Sequence, residues 1–251
     1  MTLDRPSLKR RAVEIIRGSQ PKVIYVALVY VLLTMVVAAL SGRLMGVWPS
    51  QEELRQLFNA AMDGNYNYAM NYFDQEKVSG MSSFINTLLN IVTNIVSAGF
   101  VIFLLNTIRN AGPCYGNLLD GFGCFLRIII LDLLMYIFIT LWSMLLIVPG
   151  IIAAYRYSMA IYILLDNPDM SPLECIRESK RMMTGHKAEL FMLDLSFIGW
   201  GLLSILPVVG YLVSVWTTPY IAMTKALYYV RLRGEDISGQ SEQIEPATPW
   251  Q

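Results

Sequence analysis

Uncharged apolar runs long enough to cross a lipid bilayer constrain this chain most. Backbone inside hydrocarbon must satisfy its own N–H and C=O groups, which leaves only helices and closed barrels. The first run, residues 23–40, has no charged residue. At about 1.5 Å rise per residue it nearly matches a hydrocarbon core of roughly 30 Å. Five more follow, at 83–105, 125–148, 151–165, 188–206 and 211–230. The third ends at Pro149-Gly150, a pair that breaks a helix and favours a tight reversal. Pro207 and Gly210 close the fifth, and the sixth is expected to kink at Pro219, where proline removes one backbone bond. Hydrophobic residues make up 55% of the 251 and charged residues 15%, more apolar surface than a soluble domain can hide. The expected fold is an all-α polytopic transmembrane bundle of six spans, one integral membrane domain over 1–234.

The charges between the spans are sorted by sign. Of 19 Lys and Arg, six precede the first span (Arg5, Lys9, Arg10, Arg11, Arg17, Lys22), and four lie between the fourth and fifth (Arg177, Lys180, Arg181, Lys187). Arg109, Arg231 and Arg233 fall on the same side. The connector 41–82 holds Arg43, Arg55 and Lys77 against five acids, and the two hairpin tips hold no charge. By the positive-inside rule both termini are cytoplasmic. Trp142, Trp200 and Trp216 each fall six or seven residues from an outer tip, where indole rings prefer to sit. A cleavable signal peptide is the competing reading of 1–42, but a 22-residue basic prefix and an 18-residue apolar run are both long for one.

Zero net charge argues against nucleic acid as a partner. Cys114, Cys124 and Cys175 fit neither a disulfide framework nor a zinc pattern, so they read as plain thiols in a reducing compartment. Residues 7–17 carry Leu8, Ala12 and Ile15 at helical spacing with Lys9, Arg10 and Arg17 elsewhere on the wheel. This is expected to be a helix on the inner, anionic membrane surface, or a solvated one. Ser171-Pro-Leu-Glu174 is a capping-box pattern, and Gly185 is a suitable stop. With Leu173, Ile176 and Met183 on one face, 171–185 reads as a short amphipathic connector at the inner interface. His186 follows it and is assigned no role. Ser50 to Glu53 is a second capping box, opening a helix to about Met62, with an Asn/Tyr-rich loop over 64–73. The tail 235–251 is expected to be disordered. Trp142 to Pro149 and Trp200 to Pro207 share one spacing. Either a parallel internal repeat or convergence on the outer boundary accounts for it.

Charges in hydrocarbon cost roughly 2.5–3.5 kcal/mol each, so those inside the spans should be paired or functional. They are Arg127, Asp132, Arg156, Asp194 and Lys225. Arg127 can snorkel to the inner surface. By depth the others pair as Asp132 with Arg156 and Asp194 with Lys225, each pair joining the helices of one hairpin. Asn86, Asn90 and Asn94 follow an i, i+4, i+8 stripe down the second span. They act either as interhelical hydrogen-bond glue, at about 0.6–2 kcal/mol per contact, or as the outer half of a polar path completed by the four charges. No Gly-x-Ser-x-Gly, His-Glu-x-x-His or P-loop occurs, and one histidine limits metal and triad chemistry. No catalytic residue, metal ligand or cofactor is expected.

Several strings together are similar to a known family: Leu8-Lys-Arg-Arg-Ala-Val-Glu-Ile-Ile, Val148-Pro-Gly-Ile-Ile-Ala-Ala-Tyr-Arg-Tyr-Ser-Met-Ala160, Ser179-Lys-Arg-Met-Met-Thr-Gly-His-Lys187, Leu193-Asp-Leu-Ser-Phe-Ile-Gly-Trp200, and Pro219-Tyr220. Across nearly the whole chain they resemble bacterial integral membrane proteins catalogued as family 975 of the domains of unknown function. The Asn/Tyr-rich connector and the acidic tail are not part of that pattern. The resemblance implies a multi-pass plasma-membrane protein, more distantly similar to membrane domains of some glycerophosphodiester phosphodiesterases. It supplies no catalytic or ligand residues. The expected function is non-enzymatic, in scaffolding, assembly or envelope homeostasis, with the lipid bilayer and other membrane proteins or a second copy as partners. The alternative is a carrier or channel for a small polar solute or lipid headgroup.

Overall fold

The computed structural model describes residues 5–45, 51–65, 80–203 and 207–235. All regular structure among them is helical: α1 (Arg5–Gly18), α2 (Val23–Leu44), α3 (Gln51–Met62), α4 (Gly80–Arg109), α5 (Asn117–Asp120), a 3-10 turn (Gly121–Cys124), α6 (Phe125–Leu145), α7 (Ile147–Tyr157), α8 (Ala160–Asp166), α9 (Pro172–Met182), α10 (Lys187–Leu195), α11 (Ile198–Leu203) and α12 (Pro207–Leu232). Four stretches are long and apolar enough to cross a membrane: Val23–Leu44, Gly80–Arg109, Asn117–Leu145 and Ile147–Asp166. They coincide with the first four expected spans. Ser50 and residues 66–73 of the expected outer connector lie outside the described residues, but the helix to Met62 is present.

The chain forms two compact units, Met1–Val31 with Ile95–Gln251, and Leu32–Asn94. In the first, one apolar core gathers residues from α1, the start of α2, the second half of α4, α5, α6 through α10, and α12. Its outer surface is also apolar: Tyr136 is 70% exposed and Met144 81%. Contiguous exposure of this kind suits hydrocarbon and not water. In the second unit Phe84, Leu88 and Leu40 are exposed likewise. The hydroxyls of Thr87 and Thr93 donate to the carbonyls of Ser83 and Leu89 one turn back, so neither is left open along the helix.

Several sequence expectations are corrected. The reversal after α6 falls at Leu146, which is extended (φ −164°, ψ 151°), not at Pro149-Gly150. Pro149 sits inside the first turn of α7, where its missing N–H costs no helical bond and its fixed φ suits the helix. The expected span 151–165 is two helices, α7 and α8, parted at Ser158 and Met159. Buried Ser179 of α9 bridges that break, accepting from the Met159 N–H (3.2 Å) and donating to the Arg156 carbonyl (3.0 Å). Irregular backbone is tolerated where a side chain re-satisfies it in this way. Finally, α1 does not offer its apolar stripe to a membrane surface. Leu8, Ala12, Ile15 and Ile16 are buried, and α1 packs on α12.

The connector 171–185 behaves similarly. Ser171 and Glu174 form the full capping box, and Gly185 ends the segment at φ +87°, a conformation glycine adopts without steric cost. Ile176 and Met183 are buried while Leu173 is exposed, so α9 packs onto α8, α7 and α6. The expected span 188–206 is also divided, into α10 and α11. Ser196 follows the end of α10 and turns its hydroxyl back to the Leu193 carbonyl. Residues 204–206 lie outside the described ones, and α12 continues as helix through Pro219.

Candidate functional site

Of the charges expected inside the helices, Asp194 and Lys225 meet. Lys225 Nζ on α12 lies 3.0 Å from Asp194 Oδ1 on α10. The Tyr155 hydroxyl of α7 donates to Asp194 Oδ2 at 3.3 Å, and its ring packs edge-on to Phe191 at 5.7 Å. Asp194 therefore ties three helices together. Asp132 and Arg156 form no ion pair with each other among the described residues. Arg156 contributes its backbone carbonyl to Ser179 instead. Arg127 donates to the carbonyls of Pro168 and Met170, in the loop between α8 and α9.

The asparagine stripe belongs to the Leu32–Asn94 unit and the four charges to the other. Asn90 Nδ2 donates to the Asn86 carbonyl (2.8 Å) and reaches Asn86 Oδ1 (3.3 Å), so part of the stripe's bonding runs along its own helix. Asn90 and Asn94 are exposed.

A second cluster was not anticipated. Asp166, the last residue of α8, has a side chain only 8% exposed. It receives a bidentate pair from Arg109, the last residue of α4, at 2.5 and 2.8 Å. The Tyr229 hydroxyl of α12 adds a hydrogen bond at 2.8 Å, and Arg233 just past α12 donates to the same oxygen. Glu235 closes the cluster, accepting from Arg109 Nε (3.0 Å) and Nη2 (2.9 Å) and pairing with Arg233 Nε (3.2 Å). The ends of α4, α8 and α12 are thus drawn to one point. Glu235, read from sequence as the first tail residue, is anchored; 236–251 lie outside the described residues. The available signal was a charge at each helix end. Partners 57, 67 and 126 positions apart leave no local pattern.

Among the described residues no group of His, Cys, Asp and Glu could hold a metal ion. All three cysteines are free thiols. Burial pushes the Cys175 thiol up, against the opposing pull of Arg127, away from the thiolate a nucleophile needs. His186, the residue before α10, holds Glu189 Oε2 at 2.8 Å through Nδ1, and its carbonyl accepts from the Tyr228 hydroxyl at 3.0 Å. It is an organising residue of that turn.

Residues 143–236 match a family model described as protein of unknown function (DUF975). The matched segment runs from the end of α6 through α12, less of the chain than the sequence resemblance suggested. It holds Asp194, Lys225, Asp166, Arg233 and Glu235, whereas Arg109, Asp132 and the asparagines lie outside it. No curated protein and no solved structure matches the chain.

Proposed function

We propose that this member of the DUF975 family crosses the plasma membrane six times with both termini in the cytoplasm, and works without catalysis as a scaffold or assembly factor of the cell envelope. The observation that carries the reading is the Asp194–Lys225 pair. Two charges that are costly in hydrocarbon are consumed in fastening α7, α10 and α12, the expected use of intramembrane charge in a rigid framework. The Arg109–Asp166–Arg233–Glu235 cluster fastens three helix ends in the same way. Among the described residues, no buried side-chain polar atom is left without a partner.

The topology has separate support. Arg109 and Arg233, assigned to the cytoplasmic side by charge, contact one carboxylate. That requires an even number of crossings between 109 and 166, and again between 166 and 233. α6 with α7–α8 supplies the first two, and α10–α11 with α12 the second two. Helix α12 has 26 residues, about 39 Å at 1.5 Å each, enough to cross roughly 30 Å of hydrocarbon. Arg10, Arg17, Arg177 and Lys180 are exposed on α1 and α9, giving that side a basic surface suited to anionic headgroups. The partners are the bilayer and other membrane proteins or a second copy of the chain.

The test is affinity isolation of the full chain from crosslinked native membranes. A partner recovered in stoichiometric amount is expected. Solute flux in reconstituted vesicles that disappears in Asn94→Leu would overturn the reading in favour of a carrier.

A further inference from the structure

A groove of about 490 Å³ opens between α7 and the start of α10, within the range of about 300–1,000 Å³ usual for small-molecule sites. Ile151, Ile152 and Tyr155 line it from α7, and Lys187, Ala188 and Phe191 from α10, with Gly185 just before that helix. Ile151, Ile152 and Phe191 are each nearly half exposed (49%, 47% and 46%), so the walls face outward from the protein core. Its lining carries one net charge. The Tyr155 hydroxyl is turned to Asp194, and that carboxylate is matched by Lys225. Lys187 forms no ion pair among the described residues. The acid of the same turn, Glu189, is held by His186. The first turn of α10 also lacks a side-chain cap, leaving amide N–H groups beside the lysine.

We infer that this groove is a binding site for an anionic phospholipid, with an acyl chain along Ile151, Ile152, Ala188 and Phe191 and the phosphate at Lys187. The chemistry is complementary at both ends. An outward-facing apolar trough matches hydrocarbon, and Lys187, the single cation of the lining and next to the connector, matches a headgroup. A zwitterionic headgroup gains less from Lys187, because its own ammonium offsets the phosphate, and a soluble anion gains nothing from the trough. The inference goes beyond the scaffold reading and needs only that the chain sits in a bilayer.

The test uses the full-length protein in detergent, titrated separately with phosphatidylglycerol and phosphatidylcholine, with bound lipid counted by native mass spectrometry. Wild type is expected to retain phosphatidylglycerol in preference. Lys187→Ala should weaken phosphatidylglycerol binding about fivefold, the effect of one lysine at an anionic surface, and weaken phosphatidylcholine binding less, so that the preference is lost. Ala188→Trp, which fills the trough and keeps the charge, should weaken both, and Arg55→Ala, at an exposed position of α3, neither. Equal binding of the two lipids by wild type, or undiminished binding by both groove variants, overturns the inference. The wild-type comparison needs no variant to fold. Lost lipid preference with the protein partner still recovered would sink this inference alone, and the reverse result would sink the scaffold alone.

Discussion

A methyl group added at Gly99 would fall 2.2 Å from the Leu118 carbonyl oxygen, and one at Gly121 would fall 2.2 Å from the Ile95 carbonyl oxygen. Both obstacles are backbone, so neither can rotate aside. Gly99→Ala must therefore push α4 away from the segment 117–124. It is expected to lower stability in detergent by about 1–3 kcal/mol, the usual cost of overpacking; an unchanged melting temperature would show that the crossing has slack. The ion pair gives a different signature. Asp194→Leu or Lys225→Met alone leaves an unmatched charge and should cost about 1–3 kcal/mol, less than the roughly 3–5 of a fully buried pair because the two side chains stay 27% and 34% exposed, while the double variant should recover most of the loss. A thermal-denaturation cycle with additive losses would mean that the two residues do not interact. This pair was legible in the sequence, whereas Asp132 with Arg156 was not. Rise per residue gives a side chain's depth but not the direction in which it leaves the helix. Equal depth is therefore necessary for pairing and not sufficient. The glycine crossing was invisible for a related reason: a glycine inside an apolar run says nothing about which backbone approaches it.

Helix α9 was legible as an element because its start is encoded locally. The Ser171 hydroxyl accepts from the Glu174 N–H while Glu174 accepts from Ser171, so Ser171→Ala should cost about 1 kcal/mol. The Ser171 backbone N–H, and after it the Ser171 hydroxyl, hold the Glu174 carboxyl below the usual carboxylate range. Because the folded form titrates lower than the unfolded one, the contribution is fully present above the unfolded value of about 4.3. It is lost as pH falls through the lower folded value. The melting temperatures of wild type and Glu174→Gln should therefore differ at neutral pH and converge in acid; a constant gap across that range would remove the carboxylate from the explanation. Helix α1 was legible only in part. Its periodicity marked Leu8, Ala12 and Ile15 as one apolar face, but such a face fits lipid or protein equally, and α12, nearly two hundred residues away, could not be named from spacing. The break between α7 and α8 stayed hidden because its partner, Ser179, is supplied by a later helix.

At the scale of the whole molecule, the proposed topology is tested most sharply at its fifth crossing. α10 and α11 together run from 187 to 203 and are interrupted at 196–197. Continuous helix is the simplest way to carry backbone through hydrocarbon, so a divided segment needs its freed groups satisfied within the protein. Here the Ser196 N–H reaches the Met192 and Leu193 carbonyls (3.2 and 3.1 Å), and the Phe197 N–H reaches the Asp194 carbonyl (2.9 Å). Those bonds make a crossing chemically acceptable. The competing arrangement keeps 187–232 on one side as a surface hairpin; it also returns Arg233 to Asp166, because zero crossings is even. The end of α11 faces outside in the first arrangement and inside in the second, so a single thiol there separates them. In a background with Cys114 and Cys124 changed to Ser and Cys175 to Ala, Leu203→Cys should react with a membrane-impermeant maleimide in intact cells, as should Met62→Cys. Lys180→Cys should react only after permeabilisation. If the thiol at 203 behaves like the one at 180, the protein has four crossings rather than six. Asp194 and Lys225 would then lie outside the hydrocarbon, and their pairing would lose its weight as evidence for a membrane framework.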